Sequence, residues 1–146
     1  MRVRRASRDD IPALLRSDDL FDEPAAPDWT ERFFRAGGHH LLVAEDGGGT
    51  IVGFASAIEM VHPDKGTEMM IYELGIAEAA RGRGLATELV RAVVDLAREL
   101  GCYGVWTATE PDNEPALRTY RRGGAAEEEL SVVLVWPLGR PESAQP

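Results

Sequence analysis

The fold of this chain is decided by residues 69–87, which read MMIYELGIAEAARGRGLAT. The apolar run from Met69 to Ile76 predicts a buried strand. The sequence Arg81-Gly82-Arg83-Gly84-Leu85-Ala86-Thr87 then predicts a glycine turn that opens a helix. After the turn, apolar residues recur every three or four positions, as on a helix with one buried face: Leu85, Leu89, Val93, Leu96 and Leu100. A strand followed by a long helix indicates a crossover in an α/β sheet.

The flanking sequence predicts a single domain over residues 1–138, with 139–146 as a disordered tail. Val3 begins a short strand, Ser7 and Asp10 form a capping box for a first helix, and Asp28 caps a second. The other predicted elements are strands at His40–Glu45, Ile51–Ile58, Tyr103–Ala108 and Leu130–Trp136, and a helix at Glu114–Arg122. The expected order is strand, two helices, three strands, the long helix, strand, helix and strand.

The composition narrows the possible partners. A formal net charge of −9 argues against nucleic acid, whose binding depends on Lys and Arg. The charge is compatible with a cationic ligand, although charge alone favours the simpler explanation of an acidic surface that aids solubility. No run approaches the ~20 apolar residues of a membrane span, and the first residues lack a signal core, so we expect a cytoplasmic protein. With one cysteine and three unclustered histidines, we expect no metal site.

The glycine turn has the chemistry of an anion site. Glycines allow close backbone approach, and the first turn of a helix has N–H groups without partners. Arg81 and Arg83 add positive charge, so the turn suits a diphosphate. A dinucleotide fingerprint would need a third glycine where Thr87 stands, and the G-K-[ST] of a phosphate-binding loop is absent. A plain glycine turn with two solvated arginines remains the alternative.

Two blocks resemble the GNAT superfamily of N-acetyltransferases. Arg81, Gly84 and Ala86 fill the pattern [Q/R]-x-x-G-x-[G/A], and the sequence from Asn113 through Tyr120 to Gly124 is similar to N-x-x-A-x-x-x-Y-x-x-x-G. The resemblance implies a mixed, mostly antiparallel sheet flanked by helices, with acetyl-CoA as the acetyl donor. It places the coenzyme against the following residues: Leu74, Ile76, Arg81, Gly82, Arg83, Gly84, Leu85, Ala86, Thr87 and Asn113.

The same resemblance implies two catalytic groups. Tyr120 is the expected acid that protonates the coenzyme A sulfur, although its helix position also suits a core aromatic residue. Glu73 is the candidate base, because a carboxylate in so apolar a strand should be costly unless paired or used. An ion pair with a nearby arginine is the alternative explanation for Glu73.

The acceptor is expected to be a cationic amine. Short stretches around Asp19, Glu73 and Tyr120 are similar to the small aminoglycoside 3-N-acetyltransferases of the gentamicin and fortimicin type, which have Asp where this chain has Glu73. The expected substrate-binding carboxylates are those of Asp19, Asp22, Glu23, Glu110 and Asp112. A polyamine, a metabolite amine or a protein N-terminus remains an alternative acceptor, as does a coenzyme A-binding domain without catalysis. The sequence leaves open whether the chain forms a homodimer.

Overall fold

The computed structural model describes residues 1–140. The sheet has five strands: β1 (Arg2–Arg5), β2 (His39–Glu45), β3 (Ile51–His62), β4 (Gly66–Ile76) and β5 (Val105–Trp106). The helices are α1 (Ile11–Leu14), α2 (Pro27–Arg35), α3 (Leu85–Glu99) and α4 (Glu114–Arg122), with single 3-10 turns at Arg8–Asp10 and Glu78–Ala80. No helix among the described residues is long and apolar enough to cross a membrane.

The strands follow chain order, β1 to β5, across the sheet. The first four strands pair antiparallel, and β5 runs parallel to β4. Because a parallel neighbour requires a crossover, the long helix α3 connects β4 to β5. The predicted single-domain mixed sheet, mostly antiparallel and flanked by helices, is confirmed.

The two faces of the sheet are covered by different helices. One core cluster joins Leu89, Val93 and other α3 residues to Leu42, Ala57 and Met69 of the sheet. A second cluster packs Leu14 and Leu20 against Val43 and Phe54, with Phe33 and Phe34 of α2 beside it. A strand in the middle of this sheet is therefore buried on both sides.

Local sequence signals explain most element boundaries. Ser7 accepts a bond from Asp9 N, and the Asp10 carboxylate accepts one from Ser7 N at 2.8 Å, so the capping box is confirmed. The box first opens a 3-10 turn, and Pro12 lies in the first turn of the short α1. Asp28 lies in the first turn of α2 and is not its N-cap, a position that Ala26 occupies.

One predicted strand is much shorter in the structure and one does not form, while β3 and β4 extend beyond their predicted bounds. β5 covers only Val105–Trp106 of the expected Tyr103–Ala108, because pairing with β4 stops after two residues. The expected last strand at Leu130–Trp136 does not form, and those residues are exposed and irregular. Strand propensity alone cannot supply the neighbouring strand that a ladder requires. Of the predicted tail, residues 141–146 lie outside the described part of the chain.

Candidate active site

A β-bulge positions Glu73. Ser56 pairs with Glu73 and the next residue, Ala57, pairs with Ile71, so Tyr72 has no opposing residue on β3. The Ser56 hydroxyl accepts a hydrogen bond from Glu73 N at 3.1 Å. A bulge bends its strand and changes the direction of the side chains that follow it. The bulge therefore sets the orientation of Glu73 relative to the regular strand before it.

β4 and β5 separate at the same level as the bulge. They pair only through Met69 with Val105 and Met70 with Trp106, and the Thr107 hydroxyl then donates to Ile71 O at 2.9 Å. Beyond Ile71 the outer edge of β4 has no strand partner among residues 1–140. The backbone near Leu74 and Ile76 is therefore open on that edge, where an extended ligand could pair with it.

Glu73 and Asp22 line one small cavity. Its volume is about 240 Å³, and its other lining residues are Leu20, Phe54, Leu74 and Gly75. Partial burial of the carboxyl, and then the negative charge of Asp22, raise the pKa of Glu73 above its ordinary value. A carboxylate with a raised pKa in a cleft is typical of a general base.

The expectation of a buried Glu73 is wrong. The residue is exposed, because the bulge and the separation from β5 leave this part of β4 open. No arginine among the described residues lies within ion-pair distance of Glu73, so the alternative explanation by an ion pair gains no support.

The lack of a side chain at Gly75 allows neighbouring residues to pack closely beside the cavity. A Cβ on Gly75 would lie 2.6 Å from Phe54 Cε1 and 3.0 Å from Leu20 O. Glycine at this position therefore lets the loop after α1 pass over β4 and close one side of the cavity.

The glycine turn has the geometry of an anion site. Gly82 and Gly84 have φ values of 74° and 79°, in the left-handed region, and a Cβ on either would meet no atom within 4 Å. The first helical bond of α3 runs from Glu88 N to Gly84 O at 3.1 Å. The N–H groups of Leu85, Ala86 and Thr87 precede that bond and have no partner within the helix. Open space beside these donors suits a bound diphosphate.

Around this turn, both the backbone and two arginine side chains offer hydrogen-bond donors. Leu85 is buried in the core, so only its backbone can face a ligand. The Arg81 Nε atom donates to Ile76 O at 3.2 Å, and Arg83 donates to Ala79 O at 3.4 Å. Both arginines are exposed, so their remaining donors are free to meet an anion.

α4 carries the second block of predicted residues. The Asn113 side chain caps this helix, its Oδ1 accepting from Ala116 N at 3.2 Å. Tyr120 is partly buried and packs against the core cluster below α3. Its hydroxyl has no hydrogen-bond partner among residues 1–140 and could therefore donate to a ligand. Gly123 lets α4 contact α3, since a Cβ there would lie 2.4 Å from Val90 Cγ1.

Of the five predicted acceptor carboxylates, the structure brings only Asp22 into the cavity with Glu73. Asp19 is exposed on the preceding turn, and Glu23 forms an exposed ion pair with Arg140. Glu110 and Asp112 are exposed in the loop between β5 and α4.

Sequence reasoning missed the residues that shape the site. Ser56 and Thr107 hold the bulge and the point of strand separation by side-chain hydrogen bonds. Leu20 and Phe54 form the apolar wall of the cavity. A polar Ser56 within the apolar run Phe54–Ile58 was the available signal for a special position on β3.

The histidines lie outside the site. His40 is buried in β2, where it contacts Arg5 through Nδ1 at 2.6 Å and Glu59 through Nε2 at 2.8 Å. It adjoins a separate cavity of about 420 Å³ between β1, β2 and α2. His62 pairs with Glu68 at 3.0 Å near the β3–β4 turn. Because β2 is paired on both sides, His40 lies inside the sheet and not at its edge.

Comparisons with known proteins agree with this fold. The Acetyltransferase (GNAT) family matches residues 8–124. The chain therefore belongs to the GNAT family of acetyltransferases, whose donor is acetyl-CoA.

Curated relatives share more than 30% identity over most of the chain. The mycothiol acetyltransferase of Pseudarthrobacter chlorophenolicus is 36% identical over 96 residues, 64% of this chain and 29% of that protein. The L-2,4-diaminobutyric acid acetyltransferase of Streptomyces coelicolor is 36% identical over 104 residues, 66% of this chain and 60% of that protein. The chain thus spans less than two thirds of the length of these relatives.

Solved structures share the fold at low identity. An aminoglycoside acetyltransferase from an uncultured soil metagenomic sample, in complex with sisomicin, superposes with a TM-score of 0.81 at 19% identity, covering 94% of this chain and 96% of that one. An aminoglycoside N-acetyltransferase in complex with CoA gives a TM-score of 0.76 at 20% identity, covering 93% and 94%. At such identity the likeness establishes the fold alone.

Proposed function

We propose that this chain transfers the acetyl group of acetyl-CoA to an amine of a cationic small molecule. One observation carries the proposal: the Glu73 and Asp22 carboxylates share a cavity beside the open edge of β4. The cavity offers an acceptor amine a base and a second negative charge. The turn at Gly82–Gly84, with its free N–H groups, supplies a place for the donor in the same domain.

In this proposal the residues deprotonate the amine, stabilise the oxyanion and protonate the leaving thiolate. The acceptor arrives as an ammonium ion, and Glu73 removes a proton directly or through water. The amine nitrogen then bonds to the thioester carbonyl carbon, and backbone near Leu74 and Ile76 stabilises the developing oxyanion. As the C–S bond breaks, Tyr120 donates a proton to the departing thiolate, and the tyrosinate takes up the second proton that the nitrogen loses as the amide forms. The raised pKa of Glu73 brings this carboxylate closer to the working range of a base near neutral pH.

Within this class we propose an aminoglycoside acetylated at its 3-amino group. The support is the local similarity around Asp19, Glu73 and Tyr120, the net charge of −9, and the Asp22 carboxylate that lines the cavity. Several ammonium groups on one molecule could meet Asp22 in the cavity and Asp19, Glu23, Glu110 or Asp112 around it.

A smaller diamine is the second candidate. The cavity of about 240 Å³ is below the ~300–1,000 Å³ of pockets that enclose drug-sized ligands. One relative at 36% identity is named for acetylation of L-2,4-diaminobutyric acid. A short diamine would fit between Asp22 and Glu73 without contacts to the more distant carboxylates.

The test is a coenzyme A thiol-release assay with purified chain and a panel of amines. The panel contains gentamicin, L-2,4-diaminobutyric acid, spermidine and a peptide with a free N-terminus. Release with gentamicin, together with raised gentamicin tolerance of an expressing bacterium, supports the aminoglycoside. Release with L-2,4-diaminobutyric acid and none with any aminoglycoside would identify a short diamine, and not an aminoglycoside, as the acceptor. Coenzyme A binding without turnover of any amine would identify a binding domain and overturn the proposal.

A further inference from the structure

A second cavity lies where β1 ends, between that strand, the start of β2 and α2. Its volume is about 420 Å³, within the ~300–1,000 Å³ of pockets that bind small molecules. Its lining includes Arg5, Arg8, Phe34, His39, His40 and Leu41. It shares no lining residue with the cavity that holds Glu73. The second cavity is therefore separate from the proposed acetyl-transfer site.

The charge of this lining is opposite to that of the whole chain. Acidic residues outnumber Lys and Arg by 25 to 16 in the sequence, yet no Asp or Glu is among the described residues that line the second cavity. Arg8 shares the Glu31 carboxylate with Arg35. No carboxylate within residues 1–140 forms an ion pair with Arg5. The cavity therefore has an excess of positive charge, which favours an anionic ligand.

A buried histidine holds Arg5 at the cavity. The Arg5 Nη2 atom lies 2.6 Å from His40 Nδ1, and His40 Nε2 lies 2.8 Å from Glu59 Oε2. Because a guanidinium can only donate, Nδ1 is the acceptor, and Nε2 carries the hydrogen that is donated to Glu59. His40 is only 5% exposed, so packing fixes its ring as well. These bonds orient the Arg5 guanidinium and leave its other N–H groups available to a ligand.

Aromatic rings form part of the wall beside these charges. Phe34 and His39 line the cavity, and the ring centroid of Phe33 lies 5.4 Å from that of Phe34 and 5.8 Å from that of His39. Leu41 adds apolar surface from the sheet. An aromatic ring in the cavity could pack against this wall while a charged group on it meets Arg5. A ligand that matches the lining therefore has both an anionic group and an apolar ring.

We propose that the second cavity binds an aromatic monocarboxylate. The carboxylate accepts two parallel hydrogen bonds from the Arg5 guanidinium, whose planar fork matches carboxylate geometry. The ring of the ligand packs against Phe34 and Leu41. The local charge favours a single carboxylate, because the ion-paired and hydrogen-bonded groups at the cavity contain three arginines and two glutamates, an excess of one positive charge.

The first experiment is a calorimetric titration of the full chain with 2-naphthoate, with 2-naphthamide as the uncharged analogue of the same shape. Naphthoate should bind saturably, and naphthamide should bind at least roughly tenfold more weakly. Arg5→Gln should lower the naphthoate affinity by roughly 10–100-fold, the loss expected for charge-assisted hydrogen bonds. Arg2→Gln is the matched control and should leave the affinity unchanged, because Arg2 is exposed on the same strand but does not line the cavity.

Two results of this titration would overturn the proposal. One is the absence of saturable naphthoate binding at millimolar concentration. The other is equal affinity in the unaltered chain and in an Arg5→Gln variant that circular dichroism shows to be folded.

A second experiment locates the carboxylate in the unaltered chain, so it does not depend on the folding of a variant. Amide chemical shifts of the nitrogen-labelled chain are recorded while 2-naphthoate is added. The largest changes should lie at Ala6, Ser7 and Leu41, around the second cavity. Phe34→Leu, which keeps apolar volume but removes the ring, should weaken binding by roughly 2–10-fold. Largest changes at Glu73–Gly75 or Gly82–Gly84 would place the carboxylate in the acetyl-transfer site and overturn the proposal.

Discussion

Asp22 raises the pKa of Glu73 across a shared cavity, although 50 positions separate the two residues in the chain. The main contribution to this pKa is the partial burial of the Glu73 carboxyl, and the charge of Asp22 is the second. The relationship links the loop after α1 to the bulge on β4. It provides a direct way to test whether Glu73 titrates during turnover.

Asp22→Asn should move the acidic limb of the pH–rate profile to lower pH. Removing the negative charge of Asp22 lowers the pKa of Glu73, so the base stays ionised to a lower pH. The measurement is kcat/KM against pH for the best amine. Asp19→Asn is the control, because Asp19 is exposed and does not line the cavity. An acidic limb that stays in place in Asp22→Asn would mean that Glu73 is not the titrating base.

Glu73→Gln keeps the shape of the side chain and removes the base. Turnover at neutral pH should fall by ~10²–10⁴-fold, the usual contribution of a general base. Part of the activity should return at higher pH, where more of the free amine is present. Glu68→Gln, on the same strand but before the bulge, should leave turnover unchanged. Equal turnover in Glu73→Gln and the unaltered chain, with chemistry rate-limiting, would remove Glu73 from the mechanism.

Tyr120→Phe should lower turnover more than it weakens coenzyme binding. The hydroxyl is needed when the thiolate departs, whereas the ring packs against the core in both variants. We expect a loss of ~10²–10⁴-fold in kcat with a small change in coenzyme affinity. Rapid-quench kinetics and calorimetry separate the two quantities. If kcat is unchanged when chemistry limits the rate, Tyr120 is a packing residue only.

Gly84→Val should weaken coenzyme A binding by roughly 10–100-fold, because a branched side chain fills the open space beside the N–H donors of α3. It also strains the backbone, since φ is 79° at this position. Gly101→Val controls for strain: Gly101 has φ of 76°, also meets no atom within 4 Å, and lies after the other end of α3. Calorimetry should show lost affinity in Gly84→Val alone. Equal affinities in two folded variants would place the pyrophosphate elsewhere.

The Arg4 pairs predict loss of stability in acid. Arg4 donates to Asp10 and Glu45, and these hydrogen bonds lower the pKa values of both carboxyls. A lowered folded pKa contributes stability that is present above the unfolded pKa and is lost as pH falls through the folded pKa. Arg4→Met should therefore lower the urea midpoint at neutral pH, and its difference from the unaltered chain should shrink as pH falls through the lowered pKa values of Asp10 and Glu45. Arg98→Met, which breaks an exposed pair with Asp95, should change little at either pH.

Local sequence patterns were enough to predict the elements that depend on residues close together in the chain. The stripe from Leu85 to Leu100 predicted α3, Ser7 and Asp10 predicted the capping box, and Glu114–Arg122 predicted α4. The glycines of the turn were correctly placed before α3, with positive φ values that glycine adopts without strain. Each of these features depends on residues a few positions apart, so their spacing carries the information.

The features that make the site depended on contacts distant in sequence. The bulge at Tyr72 depends on the register of β4 against Ser56 of β3. The cavity depends on the loop that carries Asp22 and passes over Gly75. The open edge of β4 depends on the point at which β4 separates from β5. Strand register and strand partners are decided by packing between remote segments. The sequence therefore predicts that Glu73 is a buried strand residue, whereas in the structure Glu73 is exposed. For the same reason strand propensity at 130–136 was visible in the sequence, while only the tertiary structure decided that this segment has no strand partner among residues 1–140.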